Sequence, residues 1–132
     1  MNNITEEFNN LIETVRILRS EAGCPWDRSQ TTESLKNCLR EECEEILMAI
    51  NNEDAANLAE ELGDFLYLIV MISRINQETG TFTLSDVIDG INNKLVRRHP
   101  HVFSGVIIND EEELRQQWNK IKTAEKIKKQ ID

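Results

Sequence analysis

Residues 40–64 read REECEEILMAINNEDAANLAEELGD, and the placement of acids in this stretch decides the fold. Glu42 and Glu45 are three residues apart, as are Glu61 and Asp64. On a helix, residues at that spacing share one side, a turn from each other. Two such helices folded together would bring four carboxylates to one point. Like charges that close repel strongly unless a cation lies between them. The spacing therefore predicts a metal site on a central antiparallel helix pair.

The helical wheel sharpens this reading. With Leu35 as reference and about 100° per residue, Leu39 and Ile46 lie within about 40° on one side, and Ala49 and Cys38 within about 60° on the other. Glu42 falls inside that apolar arc and Glu45 at its edge. The next helix repeats the pattern, with Glu61 inside the arc set by Leu58, Leu62, Phe65 and Ile72. A carboxylate in an apolar face is expensive to bury unless a cation, a basic side chain or a proton compensates it. Glu44 points about 180° away from Leu35, and a solvated acidic face is the better reading for Glu41, Glu44, Glu53 and Glu60.

Working outward, 132 residues suffice for one domain, 1–132, with a modest core. Fifteen basic against 24 acidic residues, net −9, argue against a nucleic-acid polymer as partner. A small anion arriving with a divalent cation is not excluded. Cys24, Cys38 and Cys43 have no zinc spacing and read as small buried apolar residues in a reducing compartment. The N-terminus has no charged-then-apolar signal pattern, and the apolar run at 65–72 is too short to span a bilayer. The expectation is a soluble, cytoplasmic protein with no membrane partner.

The fold expected is all-α, a bundle of about five helices. Phe8, Leu11, Ile12, Val15 and Leu18 mark a first helix over 3–21, ended by Gly23 and Pro25. GCPWDRSQTT then reads as a loop in which Trp26 either plugs the core or lines a pocket for a flat ligand. Thr31 or Thr32 caps a second helix reaching about Asn51, with Glu33 in its first turn. The third, over 55–78, is closed by Gly80. Its centre, FLYLIVMI, is apolar nearly all round and needs neighbours on every side, so the bundle is expected to be completed by an obligate homodimer. Thr83 and Asp86 resemble a capping box that opens a fourth helix ending before Pro100. A last helix over about 110–129 carries Leu114, Trp118, Ile121 and Ala124 on one face. No strand is expected beyond a short run at 106–108.

Lys94, Arg97 and Arg98 form the strongest basic cluster in this acidic chain. They read either as favourable charge at a helix C-terminus or as a phosphate clamp. His99 and His101, held apart by Pro100, fit structural hydrogen bonding better than shared ligation. A ligand set made only of carboxylates favours Mg2+, with Mn2+ as the other candidate. The hairpin contains no histidine, which argues against a di-iron site, and there is no G-x-x-x-x-G-K-[ST] phosphate loop. Residue chemistry alone thus points to a magnesium-dependent hydrolase of phosphorylated small molecules.

Taken together, GCPWDRSQT, LREECEEILMAI, LAEELGDFLYLIV, NKLVRRHPHVFSG and WNKIK, in this order, resemble the MazG family of nucleoside triphosphate pyrophosphohydrolases. The resemblance covers about residues 18–122 and rests on several linked motifs. It implies a dimerising all-α fold, with higher oligomers left open, and magnesium held by Glu42, Glu45, Glu61 and Asp64. The motifs also take in Glu41 as a catalytic acid, an outer ligand or water-activating base. The implied reaction is hydrolysis of a nucleoside triphosphate between the α and β phosphates, giving monophosphate and pyrophosphate, a cleaning of the nucleotide pool. Lys94 and Arg98 match triphosphate-contacting positions, Arg97 adjoins them, and Trp118 matches an aromatic near the nucleotide. Glu44 departs from the pattern, standing where members often have an aromatic residue. The alternatives are a pyrophosphatase restricted to dUTP, dCTP or modified nucleotides, with base choice set near Trp26 or Cys38, and a non-catalytic acidic helical module that binds a protein partner.

Overall fold

The computed structural model describes residues 3–131, which contain helices and no strand. Seven α-helices occur among them: α1 Ile4–Leu18, α2 Pro25–Ser29, α3 Lys36–Asn51, α4 Ala55–Glu78, α5 Leu84–Arg98, α6 Pro100–Phe103 and α7 Glu111–Ile131, with a 3-10 turn Glu33–Leu35 leading into α3. The five long helices are those expected from periodicity. The two additions, α2 and α6, are single turns that begin at Pro25 and Pro100. Proline suits a first helical position, where its missing N–H would have no partner anyway. The segment read as a loop around Trp26 is therefore partly helical. The run at 106–108 forms no strand.

The chain divides into two compact units, Met1–Val87 and Ile88–Asp132. In the first, α1 begins at Asn3, whose side chain accepts the Glu6 N–H at 3.2 Å. It stops at Leu18, three residues short of the expected end, because the chain doubles back tightly. The Cys24 N–H reaches the Leu18 carbonyl at 2.9 Å, and a Cβ on Gly23 would lie 2.3 Å from the carbonyl oxygens of Ile17 and Leu18. Only glycine allows that approach.

Thr31, rather than Thr32, caps the turn into α3. The Ser34 N–H donates to Thr31 Oγ1 at 3.1 Å and the Thr31 N–H to Ser34 Oγ at 2.8 Å. Thr32 instead accepts from Asn76 of α4 at 3.0 Å. Asp54 caps α4 through the Asn57 N–H at 3.1 Å. Gly80, at φ 74°, closes it, with the Thr81 N–H on the Asn76 carbonyl at 2.8 Å. Thr83 and Asp86 form the expected reciprocal box at the start of α5, at 2.9 and 3.2 Å.

α3 and α4 pack along each other as a hairpin, and α1 lies on α4. The core is Val15, Leu35, Leu68, Val70, Met71 and Ile75, supported by Phe8, Leu11, Ile12 and Leu39. Its contribution from α4 comes from residues 68–75, so the second half of that helix anchors the unit and leaves its first half to carry the acids. Leu62 and Leu66 of α4 remain exposed, as do Leu47, Met48 and Ile50 of α3. The cysteines are unpaired thiols, as expected, but Cys43 is exposed rather than buried, and Cys24 and Cys38 are only partly covered. Cys43 lies about 100° from Glu42 on the wheel, off the face that packs.

Within the second unit no residue of α6 or α7 is fully buried. Along α7, Trp118 and Ile121 are half-buried and Leu114 is just exposed. The expected fourth member of the stripe, Ala124, is exposed, and Glu125 takes its place among the half-buried positions. Glu125 lies seven residues from Trp118, two helical turns on, and its charge is met by two arginines of α5.

Candidate functional site

The hairpin brings the four predicted acids together. Glu42 and Glu45 on α3 and Glu61 and Asp64 on α4 each offer a carboxylate oxygen, and these atoms all lie within 4.8 Å of one another. Glu42 is 8% exposed, as its place in the apolar arc requires. Glu61 is half-buried, while Glu45 and Asp64 face solvent. Glu42 Oε1 and Glu61 Oε2 are both buried, and no hydrogen-bond donor among the described residues reaches either. Buried polar atoms are nearly always satisfied, so two orphaned oxygens in one acidic cluster mark a place shaped for something else.

The electrostatics agree. Burial first, then the Glu61 and Glu45 carboxylates, push Glu42 up to about 8. At Glu61 the hydrogen bond from a protonated Glu42 pulls downward, but Glu45, burial and Asp64 together leave it above the ordinary carboxylate value. Both carboxyls are therefore held toward the neutral form by burial and by one another. A divalent cation would relieve that crowding and favour the ionised carboxylates. The donor set fits: four hard oxygens, no soft ligand, and one open side where Glu45 and Asp64 are exposed.

Glu41 is exposed and stands outside the converging set. Glu44, Glu53 and Glu60 are exposed as well, as a solvated acidic face should be. Trp26 is 49% exposed, so it does not plug the core. Its neighbour Asp27, which no local sequence signal marks, is the buried one, and it accepts a hydrogen bond from Tyr67 of α4. Burial and then Asp27 push the Tyr67 hydroxyl well above its ordinary value. Arg19 braces the same segment, donating to the Asp27 carbonyl at 2.5 Å and pairing with Glu78 at 2.7 Å. Tyr67 follows Asp64 by three residues, one helical turn, so the contact with Asp27 ties this segment to the helix that carries Glu61 and Asp64.

In the second unit, Lys94, Arg97, Arg98, Lys128 and Lys129 line a cleft of about 570 Å3. The Arg98 guanidinium lies over the Trp118 ring, 5.1 Å from its centre. A neighbouring cleft of about 590 Å3 is lined by His99, His101, Leu114, Arg115 and Trp118. Both histidines are in structural hydrogen bonds: His99 Nδ1 with the Leu95 carbonyl, and His101 Nδ1 with the Gln117 amide at 3.1 Å.

A family model of the MazG nucleotide pyrophosphohydrolase domain matches residues 30–103, the span holding all four acids together with Lys94 and Arg98. The chain belongs to the MazG family. It is 46% identical over 122 residues to a nucleoside triphosphate pyrophosphohydrolase/pyrophosphatase MazG of Thermotoga maritima, covering 92% of this chain and 46% of that protein. It is 39% identical over 124 residues to a nucleoside triphosphate pyrophosphohydrolase of Escherichia coli (strain K12), covering 93% of this chain and 47% of the relative. This MazG chain therefore spans just under half the length of either relative. A solved structure of a mazG-related protein from Thermotoga maritima superposes with a TM-score of 0.73 at 32% identity, over 87% of this chain and 98% of the other. No helix among the described residues is long and apolar enough to cross a membrane.

Proposed function

We propose that this MazG domain hydrolyses nucleoside triphosphates between the α and β phosphates, adding water to give the monophosphate and pyrophosphate. The observation that carries the reading is the pair of orphaned oxygens on Glu42 and Glu61 inside a four-carboxylate cluster. The names of the Thermotoga and Escherichia relatives support nucleoside triphosphates as the substrate class.

In this reading Glu42, Glu45, Glu61 and Asp64 hold magnesium, or manganese in its place. The ion, when bound, supplies positive charge to phosphate oxygens and lowers the pKa of coordinated water. The remaining work falls to the chain. Glu41, next to the ligands yet outside their cluster, is the candidate to accept a proton from the attacking water. Lys94, Arg97 and Arg98 offset the charge of the triphosphate, the guanidinium fork matching phosphate oxygens two at a time. Trp118 and Trp26 offer flat apolar surface to a base. The family match runs through both compact units, which supports reading 1–132 as one MazG-like domain.

The chain is proposed to work as a cytoplasmic homodimer. The exposed apolar side chains Leu47, Met48, Ile50, Leu62 and Leu66 support this, since they sit on the two helices that carry the site. Light scattering at micromolar concentration tests it, and a strictly monomeric species refutes it.

The deciding assay is product analysis on a panel of nucleotides, with magnesium and with chelator. Pyrophosphate and monophosphate, formed only with the metal, are the expected outcome. Release of orthophosphate and a diphosphate would refute the scissile bond. Turnover of a single deoxynucleotide would restrict the substrate class, and no turnover with any nucleotide would favour a non-catalytic module.

A further inference from the structure

We propose that Glu125 is a positioning residue that fixes the Arg98 guanidinium for phosphate binding; the inference rests on the reading of Arg98 as a triphosphate contact. Glu125 belongs to no motif that pointed to the site, yet it makes the most elaborate polar contact of its unit. Arg98 Nη2 donates to Glu125 Oε2 at 2.9 Å, and Arg98 Nε sits between both oxygens at 3.2 and 3.3 Å. The carboxylate thus grips the Nε/Nη2 edge of the guanidinium while Trp118 supports its face. No described residue accepts from Nη1, which keeps its donors for an incoming anion.

The same carboxylate receives Arg97 Nε at 3.0 Å. One acid therefore holds two neighbouring guanidiniums that would otherwise repel. Arg98 and Glu125 are well covered, at 16% and 18% side-chain exposure, whereas Arg97 is 53% exposed. The hydrogen bond from Arg98 overcomes the cost of burial and, with Arg97, holds Glu125 down to about 2, so it stays ionised throughout the working pH range.

A carboxylate beside a phosphate clamp could also act as the phosphate's competitor. The local charge favours positioning. The cleft holds five cations, Lys94, Arg97, Arg98, Lys128 and Lys129, against this single acid, which leaves four net positive charges. Glu125 also takes the edge of Arg98 away from Nη1 instead of covering every donor. A long arginine side chain loses much rotamer freedom when it binds an anion, and one already held loses less.

The test is a double-mutant cycle in steady-state pyrophosphate release with saturating magnesium, comparing the natural chain, Glu125→Gln, Arg98→Ala and the double variant. Glu125→Gln is expected to raise KM for the triphosphate about tenfold with kcat nearly unchanged, the pattern of lost uniform binding. In the Arg98→Ala background it should add almost nothing. Glu125→Asp, which keeps the charge on a shorter arm, should recover part of the lost affinity, and it carries the same comparison if the glutamine variant does not fold by circular dichroism. If Arg98→Ala leaves KM unchanged, the phosphate reading of Arg98 falls and the proposal with it. If Arg98→Ala raises KM while Glu125→Gln lowers it, leaves it alone or adds its full effect in the double variant, positioning is wrong and the Arg98 reading survives.

Discussion

Replacing Glu42 with Gln removes one charge from the acidic cluster while keeping its shape, and the structure sets the sign of the result. Glu42 is buried with one oxygen lacking any donor, and its carboxyl is pushed from 4.5 to about 8. Below pH 4.5 both folded and unfolded chains carry the proton and the site costs nothing. Between 4.5 and about 8 the folded chain keeps a proton that the unfolded chain has released, so stability falls as pH rises. Above 8 the penalty is complete. Fully transmitted, such a displacement costs roughly 1.4 kcal/mol per pH unit. The cluster opens to solvent at Glu45 and Asp64, and screening there reduces the total to about 1–2 kcal/mol. Glu42→Gln should recover that amount in metal-free protein.

Thermal melts at fixed protein concentration measure it. In chelator at pH 8.5 the variant should melt higher than the natural chain by about 3–8 °C, and the gap should shrink toward zero at pH 5. Magnesium should reverse the order. An ion present at a hundred times its dissociation constant stabilises the chain that binds it by about 2.7 kcal/mol, and the variant, short of a charged ligand, should gain little. The reasoning is refuted if the two chains melt together in chelator at pH 8.5, if the variant melts lower, or if magnesium raises both equally.

Three further outcomes follow from single contacts. Asp64→Asn should cut pyrophosphate release about 100-fold or more at fixed magnesium, because a neutral amide replaces a charged oxygen ligand; unchanged turnover with an intact circular dichroism spectrum would remove Asp64 from the site. Gly23→Ala should cost about 3 kcal/mol in urea unfolding, since its Cβ would press on two backbone carbonyl oxygens at 2.3 Å; a midpoint equal to the natural chain's would show that the turn can open. Tyr67→Phe takes from buried Asp27 its side-chain donor and should cost about 1–3 kcal/mol, measured by the same unfolding; a neutral result would mean that solvent already serves Asp27.

What the sequence made legible were features with a local signature. The hairpin of α3 and α4 is readable because its signals are local: Gly80 closes a periodic run, and Glu42 sits in an apolar arc that any wheel displays. The short helices α2 and α6 escaped because one turn has no period, and proline at the first position looks the same in a loop. Apolar periodicity alone puts Ala124 on the inner face of α7, whereas Glu125 takes that place through Arg97 and Arg98, 28 and 27 residues away. Asp27 and Tyr67 are 40 residues apart, and nothing short of the folded chain pairs them. For Trp26 the sequence leaves core and surface open, since exposure depends on the same long-range packing.

The legible and the hidden residues differ in how they break rules. Glu42 breaks a local rule, an acid in an apolar face, and a broken local rule without local compensation points outward to a ligand. Glu125 and Asp27 break the same rule but find their compensation inside the chain, in two arginines and a tyrosine. The sequence singles out Glu42 by its apolar arc and its spacing to Glu45, but it does not show which of the three acids finds a partner inside the chain. In the structure they separate at once, because of the three only Glu42 keeps a buried oxygen that no described side chain serves, as does Glu61 beside it. That remainder, rather than acidity itself, is the ground for proposing a cation at the hairpin and, at Glu125, a carboxylate that holds an arginine.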